Sequence, residues 1–192
     1  MYFCSGSMKG KFLIATPSLC DPNFSEGVVF LCDHNDKGAF GLIINKKSDL
    51  KAETHFKKQG QLESIKNVDL YIGGPVHTNH IMILCRSHEI IPSENRIIDD
   101  VVLLNSIPER VADELFDESN SANIRLYLGC SGWEENQLES EIAAGAWKIL
   151  PYLPEMIFSE KPNHIWRNNL ARLGGQYGIL SDMPDQDDLY RN

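Results

Sequence analysis

The side chains best suited to covalent or metal chemistry in this chain are its five cysteines and six histidines. Cys4, Cys20, Cys32, Cys85 and Cys130 are odd in number and scattered without a CxxC pair, which fits reduced thiols better than a disulfide framework or a thiolate zinc site. Cys32, Cys85 and Cys130 read as core residues. A nucleophilic thiol needs a base beside it, and the pairings to test are Cys32 or Cys85 with His34 or His88, which only the fold can assemble. Gly129-Cys-Ser-Gly-Trp133 comes near a nucleophile elbow. The fifth position of that turn must be small and is tryptophan here, so Ser131 reads as a turn residue. His77 and His80 are three apart, but they follow Gly-Gly-Pro and lead into a strand, where positions i and i+3 point to opposite faces. No shared metal is therefore expected from them.

Other chemistries lack their motifs. There is no P-loop and no HExxH, and Gly73-Gly74-Pro75 lacks the third glycine and following helix of a dinucleotide fingerprint. No cofactor is expected. Glu134-Glu135 and Glu139 with Glu141 read as helix N-terminal charges favoured by the macrodipole rather than as an acid/base pair. The net charge of -9 repels phosphate backbones unless basic residues cluster, and the most basic run, Lys46-Lys47 with Lys51, Lys57 and Lys58, is interrupted by Asp49 and Glu53. It reads as a solvated surface, and direct nucleic-acid binding is not expected.

A chain of 192 residues with 42% hydrophobic and 23% charged residues is long enough to bury a core as one domain. Its longest apolar runs, Gly27 to Cys32 and Ala39 to Ile44, fall far short of the roughly 20 residues of a membrane helix. Met1 to Lys11 lacks the features of a secretory signal, so a cytoplasmic protein with no membrane partner is expected.

The elements that must position these residues begin with three strand signals, Lys11–Ala15, Val28–Cys32 and Ala39–Asn45. The second and third are expected to pair antiparallel through the polar Asp33–Gly38 loop, and their near-continuous apolar character calls for helices on at least one side. Ala52–Gly60 reads as a short helix, and Val68–Ile72, His80–Cys85, Val101–Leu104 and Ile124–Leu128 read as strands, with a helix from Pro108 before the last. Asn136 is expected to cap a helix through Glu139, with Leu138, Ile142 and Ala146 on one face and Pro151 and Pro154 ending the stretch. A last helix begins near Asn163, carries Trp166, Leu170 and Leu173, and stops at Gly174-Gly175. No repeat or linker divides the chain, which reads as a core of about 9–174 and an acidic tail, 176–192.

Three separated motifs carry a family resemblance. Gly10-Lys-Phe-Leu-Ile-Ala-Thr-Pro17, Asp21-Pro22, Phe24, Val28-Val29 and Gly38–Asn45 resemble the opening motif of the AlgH/YqgE-like proteins. Gly73-Gly-Pro-Val76 resembles their central motif, and Gly129, Gly132-Trp133, Gln137-Leu-Glu139, Glu141 and Trp147 resemble their C-terminal signature, a glycine-tryptophan turn followed by Gln-Leu-Glu. Cys130-Ser131, Glu134-Glu135 and Lys46-Lys47 depart from that pattern. The resemblance implies an α+β fold, a single domain with a mixed, bifurcated or barrel-like sheet surrounded by helices, and a regulatory, transcription-affecting role.

The function expected from these readings is a binding module without chemistry of its own. Its cleft would be formed by Pro17, Phe24, Asn45, Gly73, Gly74, Pro75, Trp133, Gln137 and Leu138, which lie in loops and element ends where a scaffold presents function. Its partner would be a protein segment or a small molecule. The alternatives are a hydrolase with a Cys or Ser nucleophile and a histidine, and a direct nucleic-acid-binding regulator.

Overall fold

The computed structural model describes residues 6–50, 69–86, 93–106, 123–175 and 177. Among the described residues nine strands form a single curled sheet: β1 (Phe12–Ala15), β2 (Val28–Asn35), β3 (Gly38–Ile43), β4 (Leu70–Ile72), β5 (Val76–Arg86), β6 (Arg96–Ile98), β7 (Val101–Leu104), β8 (Ile124–Glu134) and β9 (Trp147–Leu150). Three α-helices accompany it among the described residues, α1 (Gln137–Ala143), α2 (Pro154–Ile157) and α3 (Ile165–Arg172). The strand order is β6-β7-β5-β8-β3-β2-β1-β9, with β4 alongside β8. Neighbours run antiparallel except for the β4–β8 pair. The domain is a half-barrel of antiparallel strands.

Alternation along the strands sorts the apolar residues onto two faces. Phe12, Ile14, Phe30, Leu84, Val101 and Tyr127 share one cluster that spans both halves of the sheet, and α2 and α3 close it with Met156, Ile157, Ile165 and Leu170. Their neighbours in sequence face the other way and divide into two separate clusters, one around Leu13, Val29, Leu31 and Trp147 and one around Ile83, Cys85, Val102 and Leu126. A continuous inner cluster with a divided outer one is what curling a sheet produces.

β8 is the branch point. Leu126 to Leu128 lie beside β4, and Ser131 to Glu134 lie beside β3, with Gly129 at a φ of 70° between the two halves. The backbones approach so closely at this fork that a Cβ on Gly73 would stand 2.3 Å from the Gly129 carbonyl oxygen, and one on Gly74 2.3 Å from that of Cys130. The Gly73 carbonyl accepts from Ile43 N–H at 2.9 Å and from Ser131 Oγ at 3.1 Å. The central glycine motif therefore builds the sheet's bifurcation.

Several local expectations are corrected. The Asp33–Gly38 loop shrinks to a turn at Asp36 and Lys37, because β2 and β3 extend to Asn35 and Gly38. Gly129–Trp133 is strand rather than turn, and Gly129 serves close backbone approach, since a Cβ there would stand 2.5 Å from the Gly74 carbonyl oxygen. The helix from Asn136 stops at Ala143; Gly145, at a φ of 83°, turns the chain, and Trp147–Leu150 joins the sheet as an edge strand on β1. Asn136 itself has a φ of 59° and makes no side-chain cap, and Glu139 reaches across to His34 instead of back to the helix start. The last helix is found as expected, after a short 3₁₀ turn at Pro162–His164 and before Gly174 and Gly175. The helices expected at Ala52–Gly60 and from Pro108, and the acidic tail apart from Tyr177, lie outside the described residues. Among the described residues no helix is long and apolar enough to cross a membrane.

Candidate functional site

A polar network on the sheet's outer face centres on Glu141. Leu138 anchors α1, buried against Leu13 and Trp147, and one turn further on this places the Glu141 carboxylate over the tryptophans. Its Oε2 accepts from Trp147 Nε1 at 2.7 Å and from Trp133 Nε1 at 2.9 Å, and its Oε1 accepts from Gln137 Nε2 at 2.9 Å. Gln137 Oε1 in turn accepts the Glu134 N–H at 3.0 Å, which ties the end of β8 to the start of α1. The two indoles meet edge to face at 6.0 Å. Phe24 completes the group, at 6.0 Å from the Trp133 ring and edge-on to Trp147 at 5.4 Å.

Phe24 stands on the loop of residues 16–27, which is fixed from several sides. Asp21 Oδ1 accepts from the Asn23 N–H and Nδ2, and the Asp21 carbonyl accepts the Phe24 and Ser25 N–H groups. Lys46 Nζ donates to the Asn23 carbonyl at 2.9 Å; burial holds its pKa below the usual lysine value, against the opposing pull of Glu26 and Asp21. Asn45 accepts the Val28 N–H at 2.8 Å and donates to the Glu26 carbonyl at 2.9 Å, where the backbone is held at a φ of 54°. At the loop's start Thr16 Oγ1 donates to the Gly145 carbonyl, which leaves Ser18 Oγ to donate to Thr16 Oγ1.

The structure thus divides the expected cleft. Phe24, Trp133, Gln137 and Leu138 come together, Pro17 is exposed on the same loop as Phe24, and Asn45 supports the far end of that loop. Trp133 and Leu138 are 6% and 1% exposed, so they form the floor on which Phe24 rests. Gly73, Gly74 and Pro75 belong instead to the fork, beyond the other end of the β3–β8 ladder. A recess of about 540 Å³ lies elsewhere, lined by Ser159, Glu160, Lys161, His164, Ile165 and Asn168.

Ser131, Cys32, Cys85 and Cys130 are committed to the core, whereas Cys20 is exposed on the 16–27 loop and Cys4 lies outside the described residues. Ser131 is fully buried and hydrogen-bonded to Gly73. Burial pushes the Cys85 thiol up to about 12 and raises Cys130 as well; for Cys32, burial and then the nearby Cys130 push the thiol further still. Cys32 continues the inner-face alternation of Val28 and Phe30, and the bulge between Leu31 and Asp33 then places His34, opposite Ala39, on the outer face. His34 Nδ1 accepts the Met8 N–H at 3.1 Å, so Nε2 carries the proton it shares with Glu139 at 2.7 Å. Sequence reasoning had no signal for that pair, whose members are separated by 105 positions. His88 lies outside the described residues. Of the basic run, Lys46 serves the loop and Lys47 pairs with Asp69 at 2.7 Å; Lys51, Lys57 and Lys58 are outside the described residues.

His77 and His80 depart from their expected opposite faces. β5 loses register with β8 between Val76 and Ile81, His77 adopts a φ of 50°, and the two rings come within 5.6 Å of each other.

Comparison with known proteins places the chain. The AlgH-like family model matches residues 12–178. A UPF0301 protein of Cytophaga hutchinsonii is 35% identical over 92% of this chain and 95% of its own length, and one of Chlamydia caviae is 33% identical over 92% of each. The solution structure of the AlgH protein from Pseudomonas aeruginosa is 28% identical and superimposes with a TM-score of 0.73 over 97% of this chain and 99% of that one. The strand fork, the tryptophan floor and the loop above it are therefore built on the scaffold of the AlgH-like family, to which this chain belongs.

Proposed function

We propose that the chain is a regulatory binding module that docks a protein segment or small ligand on the 16–27 loop. One observation supports this above the others: the loop is held by side chains of Asn45 and Lys46 and by the Gly145 carbonyl, and it presents a half-buried phenylalanine on a pinned pair of tryptophans. A loop fixed in advance gives up little conformational entropy on binding, and an aromatic side chain at its centre supplies apolar area. The commitment of Ser131, Cys32, Cys85 and Cys130 to the core favours this reading over a Ser or Cys hydrolase.

The test is native mass spectrometry of the protein purified gently from the cells that make it. The wild type is expected to carry added mass, and Phe24→Ala to lose it while retaining its near-UV circular dichroism. A bare wild-type chain, or added mass retained by Phe24→Ala, overturns the proposal.

A further inference from the structure

We propose that His77 and His80 form a two-imidazole site for a divalent transition-metal ion of the zinc, nickel or copper class. Four residues of β5, His77 to His80, bridge a break in register that spans only Gly129 on β8. The extra residues, together with the left-handed backbone at His77, abolish strict alternation and bring the two rings side by side, tilted at an interplanar angle of 30°. Both residues are exposed, and neither imidazole has a hydrogen-bond partner among the described residues.

The spacing fits chelation. With a zinc–nitrogen distance of about 2.0–2.1 Å and a ring nitrogen roughly 1.1 Å from the ring centre, the ion stands about 3.2 Å from each centroid. Two such rings are about 5.2 Å apart at a tetrahedral angle and about 6.4 Å apart when collinear with the ion. The observed 5.6 Å lies between these limits, so the two rings stand at the separation that a shared ion requires. A non-glycine residue at a φ of 50° is a strained position, and such strain gathers where a side chain is held for a purpose. Imidazole donors select zinc, nickel and copper over magnesium and calcium, and the chain's net charge of -9 favours cation approach. Among the described residues no third histidine, cysteine or carboxylate joins the pair, so water fills the remaining positions.

The test titrates the full-length protein with zinc chloride, reading affinity by calorimetry and ring-nitrogen shifts by NMR. His77→Asn, which tolerates the left-handed backbone, and His80→Gln are each expected to weaken binding about tenfold or more, because each removes one arm of a chelate. His164→Gln, on the far recess, should bind as the wild type does. Ring nitrogens of His77 and His80 that fail to shift together, or wild-type affinity in either single variant, overturns the site.

Discussion

Removing the Glu141 carboxylate tests whether the outer face is organised as described. Glu141→Ala strips the acceptor from two indole N–H groups on tryptophans that are 1% and 6% exposed, and from an exposed glutamine whose loss counts for little. Leaving a buried donor unsatisfied costs roughly 1–3 kcal/mol, so the pair should cost about 3 kcal/mol after water reaches part of the space vacated. For a chain of this size each kcal/mol corresponds to about 2–4 °C, which gives a fall in Tm of about 6–12 °C. Glu141→Gln keeps one oxygen for both indoles and loses only the Gln137 bond, so it should cost about 1 kcal/mol. Urea unfolding followed by far-UV circular dichroism reads both values without relying on the tryptophans. A Glu141→Ala variant within about 1 kcal/mol of the wild type, or a Glu141→Gln variant equally damaged, would refute the reasoning, since the indole donors would then not set the cost.

Gly74→Ala should abolish soluble expression or lower Tm by more than about 10 °C, because its Cβ meets the Cys130 carbonyl carbon and oxygen at 2.4 and 2.3 Å, and backbone cannot rotate away. Lys46→Met should leave global stability within about 1 kcal/mol yet speed amide exchange at Phe24 and Ser25, whose N–H groups depend on the loop that Lys46 ties down; unchanged protection contradicts that role. Stability should fall as pH rises above 9.0, since an unfolded Cys85 releases its proton there while the folded thiol, pushed up to about 12, keeps it. The unfolded state then binds fewer protons, and each such thiol contributes a slope of about 1.4 kcal/mol per pH unit. Cys85→Ala should flatten the decline measured by urea unfolding between about pH 9 and 10; an unaltered slope counts against a buried thiol.

How much of this was legible depends on whether the cause was local. Val28, Val29 and Phe30 declare a buried strand through their own types, and Gly174-Gly175 declares the end of α3 through its backbone freedom. β9 could not be read that way. Leu138, Ile142 and Ala146 recur at helical spacing, and only the pairing of Trp147–Leu150 with β1, far away in sequence, pulls that segment into the sheet. Gly129–Trp133 suggested a turn because a sequence does not show which backbone will pass against Gly129. His77 and His80 illustrate the same limit: their parity follows from a register break that depends on β8. Of the candidate site, Phe24, Trp133, Gln137 and Leu138 were identifiable by type and converge, whereas Asn45 and Lys46 acquire their roles only when β3 ends beside the loop. The Glu141 pin required both tryptophans and the helix at once.

Photo-cross-linking in the producing cells tests the central claim most directly, with benzoylphenylalanine placed at Pro22, exposed on the loop, and at Glu155, exposed on α2. Binding through the 16–27 loop predicts a discrete adduct from position 22 and none from position 155. Adducts of equal yield from both positions, or none from position 22, would contradict it.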